Sequence, residues 1–321
     1  VRKVLNNTQI SQIVYDWKHD PIEIPPNCFF PSRNVGQFKV CDSISEYLKS
    51  AKRLLVIRRF ALGDVLMLLC VLRELKAYYK LDHITLATSG MLADHPVINQ
   101  LNFSADLITS TSRLDKISYD AACHLDGWLE MDHISDKFAF KHRIDLYREF
   151  FELPTGKDPD WSGFEIKVSS KYIVFCPAGR RIYNSLSLKL TKEIEKGLSR
   201  HKKVVLISDE NRVEDDKLVD IIAEASVLVT VDSGPLWIAH YTATPVVFLS
   251  GPTKPEQRVS YHPLYPDGVE TVRLAERVGC SSCFERAVGC NFSAACMKND
   301  REAKAIASEV VRKVGKVRWK R

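Results

Sequence analysis

The sequence has no run of about 18 apolar residues, so no segment reads as a membrane-crossing helix. Its opening, Val1-Arg2-Lys3-Val4-Leu5, lacks the apolar centre of a secretory signal. Without such a signal, a reducing compartment is the default for the nine cysteines. Low-complexity tracts and internal repeats are missing too, which excludes a solenoid. Among His124, His133, His142, His240 and His262, no pair stands at a convincing metal-ligand spacing. Wholesale disorder is excluded by composition, since 45% of residues are hydrophobic and 27% charged.

What is present is enough chain for two domains: 321 residues, with a formal charge of +6. Part of the excess sits in the last residues, at Arg312, Lys313, Lys316, Arg318, Lys320 and Arg321. Such a tail is first a solvated, frayed end, and second a contact for nucleic-acid phosphates or an anionic membrane. Residues 1–50 are irregular and proline-punctuated. They read as an extended arm followed by a short helix, capped by Asp42 or Ser43, with Ile44, Tyr47 and Leu48 buried.

From residue 51 the pattern alternates strand and helix. Leu54–Ile57 is a continuous apolar run, as in a strand covered on both faces. After the turn Phe60-Ala61-Leu62-Gly63-Asp64 comes a helix burying Val65, Leu68, Leu69, Leu72 and Leu75. His83–Ala87 reads as a strand, and 107–108 and 121–123 as weaker ones. Lys141–Leu153 reads as a helix, and the Pro- and Gly-containing stretch 155–170 as a linker. Strands then follow at 172–175, 203–207, 227–231 and 245–249, with helices at 188–200, 212–224, 235–242 and 300–315. This alternation predicts parallel sheets with helices on both faces. The expected domains are 1–50 as the arm and helix, 51–160, and 161–321. Cys70 and Cys176, in apolar segments, read as buried small hydrophobes.

Three places carry chemistry. The strand Val227–Val231 ends in Asp232-Ser233-Gly234, and Pro235 suits the first turn of a helix. Free amides there attract an anion such as a diphosphate; Ser233 can donate through its hydroxyl, and Gly234 lets the backbone approach. A plain helix cap is the competing reading. Second, Arg180 and Arg181 follow Pro177-Ala178-Gly179 at the end of a strand, and guanidinium groups suit a diphosphate. Arg180 is the first choice of the two. Third, Asp209 and Glu210 follow the strand at 203–207, where an acid can hold ribose hydroxyls; a solvated turn competes. Asp126, Glu130 and Asp132 read as a solvated acidic loop. Cys280, Cys283, Cys290 and Cys296 are spaced for structural cysteines, for a structural zinc or for an iron–sulfur site.

The stretch VTVDSGPLWIAHYTATPVVFLSGPT resembles the signature of the heptosyltransferase family of bacterial glycosyltransferases, family nine. LLVIRRFALGDVLML is similar to that family's opening strand and Gly-Asp turn, CPAGRR to its central phosphate loop, and HRIDLY to one of its helical segments. The resemblance covers about 51–315 and leaves 1–50 aside.

It implies a GT-B fold: two Rossmann-like domains with parallel sheets facing a central cleft. The acceptor lies on the first domain and the nucleotide sugar on the second, and the last helix crosses back to the first. It implies inverting transfer of a heptose or related sugar, without metal in the chemistry, from a nucleotide-diphosphate donor. The acceptor would be a glycan or lipid-linked glycan. Gly63-Asp64 would supply the base. Arg180, Arg181, Asp209, Glu210, Asp232, Ser233 and Gly234 would bind the donor. The family commonly has His where this chain has Trp237; core filling is favoured over stacking on a ligand. A cytoplasmic place is implied, with the inner membrane face as the alternative. The rival readings are sugar transfer to a nucleic-acid base and a non-catalytic nucleotide-binding module.

Overall fold

The computed structural model describes residues 2–6, 12–15, 21–24, 28–32, 39–41, 43–59, 61–126, 128–129, 141–161, 171–179, 184–280, 283 and 294–317. Contacts divide the chain into two compact units, Val1–Asp160 and Trp161–Arg321.

The first unit contains β1 (Arg2–Asn6), β2 (Gln12–Tyr15), β3 (Pro21–Ile24), β4 (Cys28–Ser32), β5 (Lys39–Cys41) and α1 (Ser45–Ser50). It continues with β6 (Arg53–Ile57), α2 (Leu62–Tyr79), β7 (His83–Thr88), α3 (Gly90–Ala93), α4 (Pro96–Leu101), β8 (Leu107–Ser110), β9 (Ala121–His124) and α5 (Arg143–Phe150). Its seven-stranded sheet runs β5-β1-β4-β9-β6-β7-β8. Strands β6, β7, β8 and β9 are parallel, as expected from their apolar runs.

One sequence expectation changes here, and another is extended. The segment before residue 42 is no separate arm. Its β4 pairs in parallel with β9, and β1 pairs antiparallel with both β4 and β5, so this sheet is mixed. The reason is burial: Ile24, Cys28 and Phe30 pack on Leu55, Ile57 and Ala122. Phe29 meets Tyr47 of α1 edge-on at 5.2 Å between ring centres. At the start of α1 Ser43 acts as expected, its Oγ accepting from Ser45 N–H at 3.1 Å, but a distant residue takes part as well. Ile44 N–H donates to Glu152 at 3.0 Å, and Ser43 Oγ donates to the same carboxylate at 2.6 Å.

Helices α2 and α5 are tied by Arg148, a fully buried side chain. Its guanidinium forks onto both carboxylate oxygens of Glu74 at 2.8 and 2.6 Å and reaches Asp145 at 3.0 Å. These partners raise its pKa against the opposing effect of burial.

The second unit contains β10 (Tyr172–Cys176), α6 (Leu188–Ser199), β11 (Val204–Leu206), α7 (Asp215–Ala223), β12 (Ala225–Thr230), α8 (Gly234–Thr242), β13 (Val246–Ser250), β14 (Val269–Arg273) and α9 (Ala303–Val314). Its five strands are all parallel, in the order β11-β10-β12-β13-β14. Ser187 caps α6 by accepting from Leu190 N–H at 3.1 Å. The half-polar edge strand β14 has no apolar run to announce it. The last helix, α9, packs into the core of the second unit. Its Ile306, Ala307 and Val310 pack with Leu190, Ile194 and Leu198 of α6. Gly197 permits that approach, since a Cβ there would come within 3.1 Å of Val311.

Candidate functional site

Each sheet has a topological switch point, where strand order reverses and the loops beyond the strand ends part to leave a crevice for ligands. In the second unit it lies between β10 and β12. Two of the loops singled out in the sequence leave the sheet there. Gly179, after β10, donates its N–H to Asn184 O at 3.0 Å. A Cβ on Gly179 would lie 3.1 Å from Asp232 O and 2.9 Å from Asn184 Cβ. The phosphate-loop glycine therefore permits close approach to the Asp232-Ser233-Gly234 turn.

Within that turn the roles divide. Asp232 is held by Arg258, whose Nε donates to both carboxylate oxygens at 3.0 Å, and by Thr253 Oγ1 at 2.8 Å. Its charge is thereby compensated, which removes repulsion of an anion but gives the carboxylate an anchoring task. Ser233 occupies the N-cap position of α8 without a capping bond. Its hydroxyl donates to Val231 O at 3.3 Å and lies 3.2 Å from Thr230 Oγ1, on its own strand. Gly234 and Pro235 open α8, and the helix terminus supplies the anion-attracting feature.

Behind α8 is an aromatic cluster. Trp237 is buried and stacks on His240 at 4.8 Å, so the core reading of this residue holds. His240 Nδ1 lies 2.8 Å from Leu236 O; burial lowers its pKa to about 4. His262, 4.8 Å from His240 between ring centres, is held well below its ordinary value by burial and by that neighbour. Trp161 meets His240 at 5.3 Å and Tyr241 at 5.1 Å.

In the first unit the switch point lies between β6 and β9, and a buried charge network fills it. Asp64 is in the first turn of α2, with Ala61 at the N-cap, so it is no cap residue itself. Its Oδ2 accepts from Arg58 at 2.6 Å and its Oδ1 from Arg143 at 3.0 Å; 11% of its side chain is exposed. Tyr147 Oη donates to the Asp64 backbone carbonyl at 3.3 Å. Arg58 also approaches Asp126 at 3.6 Å, and Asp126 accepts from Arg59 through both Nε and, at 2.9 Å, the backbone N–H. Burial pushes the Asp126 pKa up, but His124, Arg58 and Arg59 outweigh it, and the net shift is downward. Asp126 therefore belongs to the network, not to a solvated loop; Glu130 and Asp132 lie outside the described residues. Ala61, at φ 66°, holds a conformation costly for a residue with a Cβ, two residues before Gly63.

The remaining expectations scatter. Arg180, Arg181 and Cys290 lie outside the described residues. Asp209 and Glu210 are exposed in the bend after β11, at the sheet edge. Cys280, Cys283 and Cys296 are half-buried. Among the described residues no three His, Cys, Asp or Glu side chains are grouped to hold a metal ion. Cys70 and Cys176 are buried, and burial raises both thiol pKa values. Sequence reasoning missed Arg58, Arg59, Arg143 and Arg258 as site residues. Only the RR pair after β6 and the HRIDLY segment offered a hint of the first three.

No protein-family model matches the sequence, and no curated protein matches it. Solved structures do match in fold. The dodecameric iron-containing heptosyltransferase TibC, solved in complex with ADP-D-β-D-heptose, superposes with a TM-score of 0.58 at 12% identity, covering 97% of this chain and 92% of that one. TibC is from enterotoxigenic E. coli H10407. A family 9 glycosyl transferase from Veillonella parvula gives 0.52 at 15%, over 81% of this chain and 97% of its own. The E. coli ADP-heptose LPS heptosyltransferase II gives 0.53 at 16%, over 80% and 99%. The chain thus has the two-unit α/β fold of the heptosyltransferase-like, GT-B class glycosyltransferases.

Proposed function

We propose that this chain is a glycosyltransferase that moves a heptose or related sugar from a nucleotide-diphosphate donor to an acceptor hydroxyl, inverting the anomeric centre. The observation that carries the donor half is the packing of Gly179 on the Asp232–Gly234 turn at the switch point of the second sheet. In this reading the N-terminal amides of α8, with Arg180 and Arg181, hold the diphosphate, and Asp209 and Glu210 serve the ribose. Asp232 acts by fixing the turn through Arg258 and Thr253.

On the first unit Asp64 takes the proton. The acceptor oxygen attacks the anomeric carbon, the bond from that carbon to the diphosphate oxygen breaks, and the hydroxyl proton passes to the carboxylate of Asp64. The leaving nucleoside diphosphate carries off the electron pair, its charge met by α8 and the arginines. A bacterial surface glycan is the acceptor this reading favours.

Cys280, Cys283, Cys290 and Cys296 are read as structural cysteines with no role in the chemistry, since the three described ones are not grouped to hold a metal ion. The metal content of the purified chain tests this, and stoichiometric zinc or iron would sink it.

Thermal unfolding in the presence of ADP, UDP, GDP and their sugars tests the donor site. A ligand at about 100 times its Kd adds roughly 2.7 kcal/mol. A shift with one nucleotide, lost in Arg180→Ala, is expected. No shift with any of them returns the chain to the class of non-catalytic modules.

A further inference from the structure

We infer that Arg143, the first residue of α5, is a positioning residue that, together with Arg58, fixes the carboxylate of Asp64 for the transfer step. The inference rests on the reading of Asp64 as proton acceptor. The two oxygens of Asp64 take one guanidinium each, from different elements: Arg58 follows β6, and Arg143 opens α5. One such bond leaves the carboxylate free to turn about its Cβ–Cγ axis; two from separate directions fix its plane. The exposed fraction of the Asp64 side chain gives an incoming hydroxyl access to the carboxylate.

The two arginines are not equivalent. Arg58 is fully buried and is shared with Asp126 and, at 3.4 Å, with Leu125 O, so it belongs to the interior of the unit. Arg143 is also buried, but less completely than Arg58, with 7% of its side chain exposed. It is therefore the member that can be changed while the rest of the network stands. The other groups that bear on Asp64 are the Tyr147 hydroxyl on its backbone carbonyl and, beyond Arg58, the Asp126, Arg59 and His124 side chains.

The test is steady-state release of ADP from ADP-D-β-D-heptose by the whole chain, with water as acceptor where no sugar is supplied. Arg143→Gln is expected to lower kcat about ten- to a hundred-fold while the KM for donor stays within about twofold. Arg143→Lys, which keeps a cation near Oδ1, is expected to restore most of the rate. An unchanged kcat in Arg143→Gln, or equal losses in Gln and Lys, overturns the inference. A wild-type rate in Asp64→Asn overturns the reading of Asp64 instead. A crystal structure of Arg143→Gln decides the point even if the donor is another nucleotide sugar. The Asp64 carboxylate is expected in more than one orientation, and a single unchanged orientation rejects the positioning role.

Discussion

At the scale of single residues, the fold uses buried arginines as fixed points. Arg258 is the plainest case: its side chain is fully buried, and its guanidinium neutralises the nearly buried Asp232. Arg258→Ala leaves that carboxylate uncompensated, a change that typically costs about 3–5 kcal/mol. Chemical denaturation should show this loss, and adding Asp232→Asn should recover part of it, because the stranded charge is then gone. A single-variant cost below about 1 kcal/mol would mean that the pair is effectively solvated.

The motif residues themselves were readable in the sequence. Asp64, Asp232, Ser233 and Gly234 lie just beyond strand ends beside the two switch points. Their partners were not readable, because Arg143 and Arg258 come from segments far along the chain, and nothing local distinguishes a buried arginine from a solvated one. The hydrogen bond from the Ser233 hydroxyl to the Val231 carbonyl was equally unreadable.

Secondary-structure elements show which patterns carry through. The apolar run at 54–57 and the stripe of α2 appear as expected, since both are local and strong. β14 escaped because it is short and half-polar; among the short strands before residue 42, prolines fall within β3 and β4, and β4 pairs with the distant β9. The joint between α2 and α5 is likewise non-local, resting on Arg148 and Glu74. Arg148→Met keeps the packing volume but removes the fork and strands Glu74, which is partly solvated. A loss near the low end for broken buried pairs, about 3 kcal/mol, is expected in urea unfolding. If Glu74→Gln in the same background restores nothing, the charge fork is not what joins the helices.

For the molecule as a whole, the buried histidines of the second unit set an acid limit. His240 is neutral when folded, with its pKa depressed to about 4, whereas an unfolded histidine binds a proton near about 6.5. Between these values the unfolded chain holds more protons, so stability is complete above about pH 6.5 and falls as pH drops towards 4. The loss from His240 is about 3 kcal/mol, and His262 acts in the same direction. Melting followed by tryptophan fluorescence, with Trp161 and Trp237 beside His240, should show a fall in Tm between pH 7 and 4.5. His240→Phe should flatten that fall, and an equal fall in the variant assigns the acid sensitivity to other groups.

The mixed half of the first sheet has a consequence for how the chain is made. Strand β4 leaves the ribosome before β6, β7 and β8, yet one of its pairing partners is β9, which emerges after all of them. During synthesis, β1, β4 and β5 can form their antiparallel three strands with β1 in the middle, but β4 keeps an unpaired edge until β9 arrives. A nascent chain in that state offers a template for pairing with its neighbours on the same message. Slowing elongation between β5 and β9 would lengthen that exposure, so the yield of folded protein depends on translation speed within this one interval.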